Sequence, residues 1–246
     1  MAHVNILDED LALDSPMLVE GLPGVGLVGK IATDHLVSEF EMTHYANVHC
    51  EGIPHVAVYA DGDPGLHTPV RLYADEERDL LALRSDVPIS PAAATEFADC
   101  VADWFDENDV TPIFVSGIPR ENSSDVPSLY GVSTGSGDEL LADAGIDSPS
   151  EAGLVSGPTG ALMSFAVEHG RTSVGLIVES DPQFPDPQAA RTLIKGGVEP
   201  LAGIDVPTDE LVDRAEEIRE ARERLVQRLQ EAGDESTQAQ PLRMYQ

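Results

Sequence analysis

Gly24, Gly26 and Gly29, followed at once by Lys30, form a stretch whose spacing could hold a phosphate. The three glycines fit the G-x-G-x-x-G pattern, in which a tight turn brings a helix N-terminus against a pyrophosphate. Gly24 through Lys30 also fit all but the last position of the P-loop pattern. That last position must offer a hydroxyl to magnesium, and it is filled by Ile31. The dinucleotide reading wants an acid about 20 residues on to hold the ribose. Its nearest candidate, Glu51, comes a few residues late, and Pro23 intrudes into the turn. Two readings of Gly24 to Lys30 therefore stand side by side: a nucleotide-binding enzyme, or glycines that permit a sharp turn and close helix packing.

Gly131, Ser133 and Gly135 spell G-x-S-x-G, the spacing of a nucleophile elbow. The downstream histidine such a triad needs could only be His169, which precedes Gly170 at a helix end, where a solvated histidine is the simpler account. The other histidines (His3, His35, His44, His49, His55 and His67) show no metal-ligand spacing, and the acids of DGDPG (61–65) lack the rest of a calcium loop. Cys50 and Cys100 have neither zinc nor redox-pair spacing and read as buried free thiols. No catalytic residue, metal or cofactor is expected.

These residues must be positioned by a regular framework. MLVEG (17–21) reads as a strand leading through the glycine turn into a helix, on which Val25, Val28, Ala32, Leu36 and Phe40 recur at helical spacing. YANVHC, HVAVY, PVRLYA and DLLALRS read as short strands of a meander or added hairpin. Ser90 and Pro91 open a helix that buries Phe97, Val101, Trp104 and Phe105 and reaches about Asn108. TPIFVSGI and LYGVST are strands, GDELLADAG a short helix, PTGALMSFAVEHG a helix closed by Gly170, and TSVGLIVES an inner strand covered on both faces. Asp186 and Pro187 start a further helix. The alternation predicts an α/β sandwich with a mostly parallel central sheet flanked by helices, plus a C-terminal helix.

The expected domains are an α/β core over 1–206, a heptad-like helix over 207–232 and a flexible tail over 233–246. In the helix, Leu211, Ala215, Ile218, Arg222, Leu225, Leu229 and Ala232 alternate in steps of four and three. Arg222 interrupts the seam, which either pairs with a partner or packs on the core.

Fourteen basic residues stand against 45 acidic ones, giving a net charge of −31 in 246 residues. Such a surface repels nucleic acid and anionic membranes. Only Lys30 and Lys195 are lysines, and the acids are spread along the whole chain, which points to adaptation to high salt. No apolar run reaches the length of a membrane span, and the acidic start is unlike a signal peptide, so a cytoplasmic location is expected.

The chain ends in Met244, Tyr245 and Gln246 after a polar spacer. Methionine adapts to apolar niches, tyrosine offers a rigid ring with a hydroxyl, and a terminal carboxylate can be captured by a lysine or backbone donors. This is the composition of a compact docking peptide.

GLPGVGLVGKIATDHLV, VSGIPREN, GPTGALMSFAVEHG and SDPQFPDPQAARTLI together resemble the proteasome assembly chaperone 2 family in its archaeal branch, over nearly the whole core. The resemblance implies an α/β core without established catalytic residues, in which the glycine turn is a structural signature. It also implies binding to the α-ring of the proteasome core particle. Some members bind through a C-terminal hydrophobic-tyrosine-any motif, which Met244, Tyr245 and Gln246 match position by position. Lacking a complete P-loop, the chain resembles the ATP-independent binders of that ring; and because a single short tail buries too little to bind tightly, a homo-oligomer presenting several tails is expected.

Overall fold

The computed structural model describes residues 3–213, apart from 51, 60, 61, 63, 120–125 and 184. Eight strands form one sheet: β1 (His3–Ile6), β2 (Met17–Gly21), β3 (Thr43–His49), β4 (Val70–Asp75), β5 (Leu80–Ser85), β6 (Thr111–Pro119), β7 (Leu129–Thr134) and β8 (Ser173–Ser180). Their spatial order is β1-β3-β4-β5-β2-β6-β8-β7. The helices are α1 (Val28–Glu39), α2 (Ala94–Glu107), α3 (Gly137–Asp143), α4 (Gly157–His169), α5 (Pro187–Leu193) and α6 (Glu199–Ala202), with a π-helical turn, Ile194–Val198, between the last two.

The sheet is mixed, which corrects the expectation of a mostly parallel one. Only β5-β2, β2-β6 and β6-β8 pair in parallel; the other four pairings are antiparallel. The reason lies in the connections. Four residues separate β4 from β5, enough for a reversal but far too few for a crossover to a parallel neighbour. The expected meander is thus real, whereas HVAVY is no strand and contributes an isolated bridge between Val58 and His67. The short β1 closes one edge beside β3, and no sequence signal marked it. At the other edge the Asp147 carbonyl accepts the Gly131 amide of β7 at 2.9 Å.

Strand alternation sends successive side chains to opposite faces and creates two cores. Leu18, Leu72, Leu83 and Phe114 meet Phe97, Val101 and Trp104 of α2 and Leu162 of α4 on one face. Val19, Ala82, Ile113 and Leu176 meet Ala32 and Leu36 of α1, Leu141 of α3 and Leu193 of α5 on the other. Helix ends follow their expected chemistry: Gly170 takes φ 63° after α4, and the Asp186 carboxylate accepts the Ala189 amide at 3.0 Å to cap α5.

Cys50 and Cys100 form a disulfide, correcting the reading of two free thiols. Packing α2 over β3 brings their Cα atoms to 6.3 Å across 50 residues of sequence, a proximity that no local spacing announces. Of the heptad seam, Leu211 is fully buried in the second core; its remaining positions, and the tail, lie outside the described residues.

Candidate functional site

The glycine turn is folded down onto the carboxyl ends of β6 and β8. Gly26 has φ 64°, and a Cβ there would stand 2.8 Å from the Ser180 hydroxyl. Below it, a Cβ on Gly117 would stand 2.6 Å from the Val25 carbonyl oxygen. The Gly26 carbonyl accepts the Asp186 amide at 2.9 Å, which ties the turn to the start of α5. Gly26 therefore lets the turn sit against the Ser180 side chain and Gly29 lets α1 approach the Glu20 carbonyl, while a Cβ on Gly24 would meet nothing within 4 Å; the carboxylate of Asp186 sits nearby, capping α5 and accepting the Asp181 amide. An acid fixed beside the turn opposes a phosphate.

Lys30 is turned away toward β5. Its ammonium contacts Asp34 at 2.9 Å and Asp86 at 3.1 Å. Asp86 also pairs with the buried Arg71 and, at 3.4 Å, with Arg84, whose Nε lies 2.8 Å from Asp34. Burial alone would raise the Asp86 carboxyl, but the Lys30 hydrogen bond and the charges of Arg84, Lys30 and Arg71 outweigh it and hold its pKa below the usual value. Three cations and two carboxylates thus form one paired network at the carboxyl ends of β2 and β5, with one positive charge in excess among them. Sequence reading found Lys30 but not its partners, which are 56 residues away in the case of Asp86.

Glu20 lies fully buried on the opposite face. Its Oε2 accepts the Val115 amide at 2.9 Å, and its Oε1 accepts the Thr159 hydroxyl at 2.7 Å. Burial pushes its pKa up to about 7, against the lowering effect of these hydrogen bonds. This acid joins β2, β6 and the first turn of α4.

On that same face, beyond α4, none of the described residues forms a layer over the sheet. A groove of about 1090 Å³ runs over β6, β8 and β7, floored by Ile118, Tyr130, Val132 and Ile177. Met163 and Val167 of α4 line it, as does Leu154 of the segment that leads into α4. Leu154 is 87% exposed and Val167 65%. Of twenty lining residues only Glu151 and Glu179 are charged, whereas 24% of the chain is. The apolar run of α4 was legible in sequence, but not that Met163 and Val167 have no cover among the described residues.

Ser133 lies on edge strand β7, and His169 holds its ring against its own helix, with Nδ1 2.9 Å from the Phe165 carbonyl. Among the described residues no group of His, Cys, Asp and Glu could hold a metal ion, and no helix is long and apolar enough to cross a membrane. Met244, Tyr245 and Gln246 lie outside the described residues.

The PAC2 family model matches residues 18–226. Two proteins of Methanocaldococcus jannaschii, both described as uncharacterized, are similar in sequence. One is 28% identical over 211 residues, covering 85% of this chain and 84% of that protein. The other is 25% identical over 235 residues, covering 93% and 90%. The crystal structure of Pyrococcus furiosus PbaA, an archaeal homolog of proteasome-assembly chaperone, is similar with a TM-score of 0.77 at 25% identity, covering 93% of this chain and 99% of that one. Pyrococcus furiosus PbaB, an archaeal proteasome activator, shares the fold with a TM-score of 0.77 at 21% identity, covering 91% and 98%.

Proposed function

The chain is a member of the PAC2 family, and from that premise we propose that it is an ATP-independent assembly chaperone or regulator of the proteasome core particle, docking on the α-ring through Met244, Tyr245 and Gln246. Family membership over residues 18–226 is the observation that carries the proposal; the words printed for PbaA and the terminal tripeptide support it. We assign the protein no catalytic residue. Lys30, bound to Asp34 and Asp86, and Asp186 beside the glycine turn both speak against the competing reading of a nucleotide enzyme at Gly24 to Lys30.

Burying one methionine and one tyrosine yields on the order of 3 to 5 kcal/mol before ordering costs, so a single tail binds weakly. Several tails on a homo-oligomer turn later contacts into intramolecular ones and raise avidity by roughly 10² to 10⁴. In a cytoplasm of about 1 M salt the Debye length is near 3 Å, so apolar anchoring and direct contacts carry the affinity.

Capture of purified core particle by the native chain, by Tyr245→Ala and by a chain ending at Arg243 tests this reading. Loss of capture in both variants is expected; capture unchanged by either removes the docking claim. Calorimetry with ATP and with NAD should be silent, and micromolar binding of either would restore the nucleotide reading.

A further inference from the structure

Residues 206–211, by which the chain leaves the core, are tied to three separate helices. The His35 ring of α1 is 2% exposed and holds Nε2 2.6 Å from the Pro207 carbonyl. A carbonyl only accepts, so Nε2 carries the proton and donates it. Arg191 of α5 donates Nε–H to the Thr208 hydroxyl at 3.2 Å. Glu199, at the start of α6, accepts the Val206 amide at 2.7 Å, and the same oxygen accepts the Lys195 ammonium at 2.6 Å. Val206 and Leu211 are fully buried among these ties. The Thr208 carbonyl then accepts the Leu211 amide at 3.2 Å, and residues 209–213 are helical.

A single attachment would leave the outgoing chain free to swivel. Attachments to α1, α5 and α6 within three consecutive residues, backed by two buried side chains, fix its direction as well as its place. We infer that His35, Arg191 and Glu199 are positioning residues: they form a clasp that sets the direction in which the C-terminal segment leaves the core, and so where Met244, Tyr245 and Gln246 are presented. This gives a task to His35, a buried histidine with no metal-ligand spacing.

The inference rests on the docking tail of the proposed function and adds the residues that aim it. The expected helix over 207–232 is a lever of about 39 Å at 1.5 Å rise per residue, so a swing of about 10° at its base moves its far end by about 7 Å. Avidity is greatest when the reach of each linked tail matches the separation of its sites. A loose base spreads the tails and dilutes them at the ring.

The test uses the full chain in about 2 M KCl, spin-labelled through Glu107→Cys and Ala232→Cys and diluted with unlabelled copies. Electron double resonance should give one narrow distance distribution. His35→Leu with Arg191→Met removes two of the ties and should broaden it at least about twofold while weakening capture of core particle about tenfold. His35→Gln keeps an N–H donor for the Pro207 carbonyl and should retain the native width. Arg191 is exposed, so Arg191→Met alone leaves the core untouched and should still broaden the distribution, which keeps the test valid where the double variant melts early. A broad distribution in the native chain, equal widths in native and double variant, or a His35→Gln chain as broad as the double variant overturns the inference. Equal widths with capture lost in Tyr245→Ala would sink the clasp and leave the docking tail standing. A broadened distribution with capture indifferent to Tyr245→Ala would sink the docking tail and leave the clasp.

Discussion

Glu20 and Thr159, 139 residues apart in sequence, are joined by a 2.7 Å hydrogen bond that fastens the first turn of α4 to the end of β2. Because α4 lines the groove, a buried acid controls how firmly that lining is held.

Glu20 should make the fold pH-sensitive. Its pKa is raised from 4.5 to about 7, so the folded state favours the protonated acid. The stabilising contribution is complete below about pH 4.5 and is lost as pH rises through 7, a swing on the order of 3 kcal/mol. Glu20→Gln keeps an acceptor for Val115 and a partner for Thr159. Denaturant unfolding from pH 5 to 8 should show the variant gaining on the native chain as pH rises; a constant difference would refute a buried titrating acid.

Asp86 should show the opposite sign. It holds Lys30, Arg71 and Arg84 together, so Asp86→Asn leaves buried positive charge uncompensated and should cost about 3 to 5 kcal/mol. Its pKa is lowered from 3.8, so its contribution is present above that value and is lost as pH falls through the lower folded one. The gap between native and variant stability should close in acid.

The Cys50–Cys100 bond encloses about 50 residues, and in the chain-entropy picture such a loop is worth about 4 kcal/mol. Cys50→Ala with Cys100→Ala, or reduction of the native chain, should lower the melting temperature by several degrees. Equal melting with and without reductant would argue that the thiols are not joined.

Forty-five acids against fourteen bases should make folding depend on salt. Far-UV circular dichroism followed as KCl falls from about 2 M to 0.1 M should show cooperative loss of structure. Retention of the full signal in dilute buffer would remove the high-salt reading.

Local chemistry was the legible part of this molecule. The strand and turn before α1, Pro91 opening the α2 region, Gly170 closing α4 and the Asp186 cap all follow from a few adjacent residues. What escaped was long-range. Nothing near Cys50 points to Cys100, and nothing near Lys30 points to Asp86 or Arg84. The four-residue β1 is too short to show a period, and the pairing direction of the outer strands depends on connection lengths rather than on composition. Even the groove was hidden in an ordinary apolar helix, because a sequence shows that a face is apolar and not whether a neighbour covers it.

The two margins of the sheet matter for a protein proposed to work among unassembled subunits. One is a four-residue strand, and the other is occupied at Gly131 by the Asp147 carbonyl. Among the described residues each margin therefore offers a stray strand only a short run of amides, which lowers the tendency of the sheet to pair edge to edge with another.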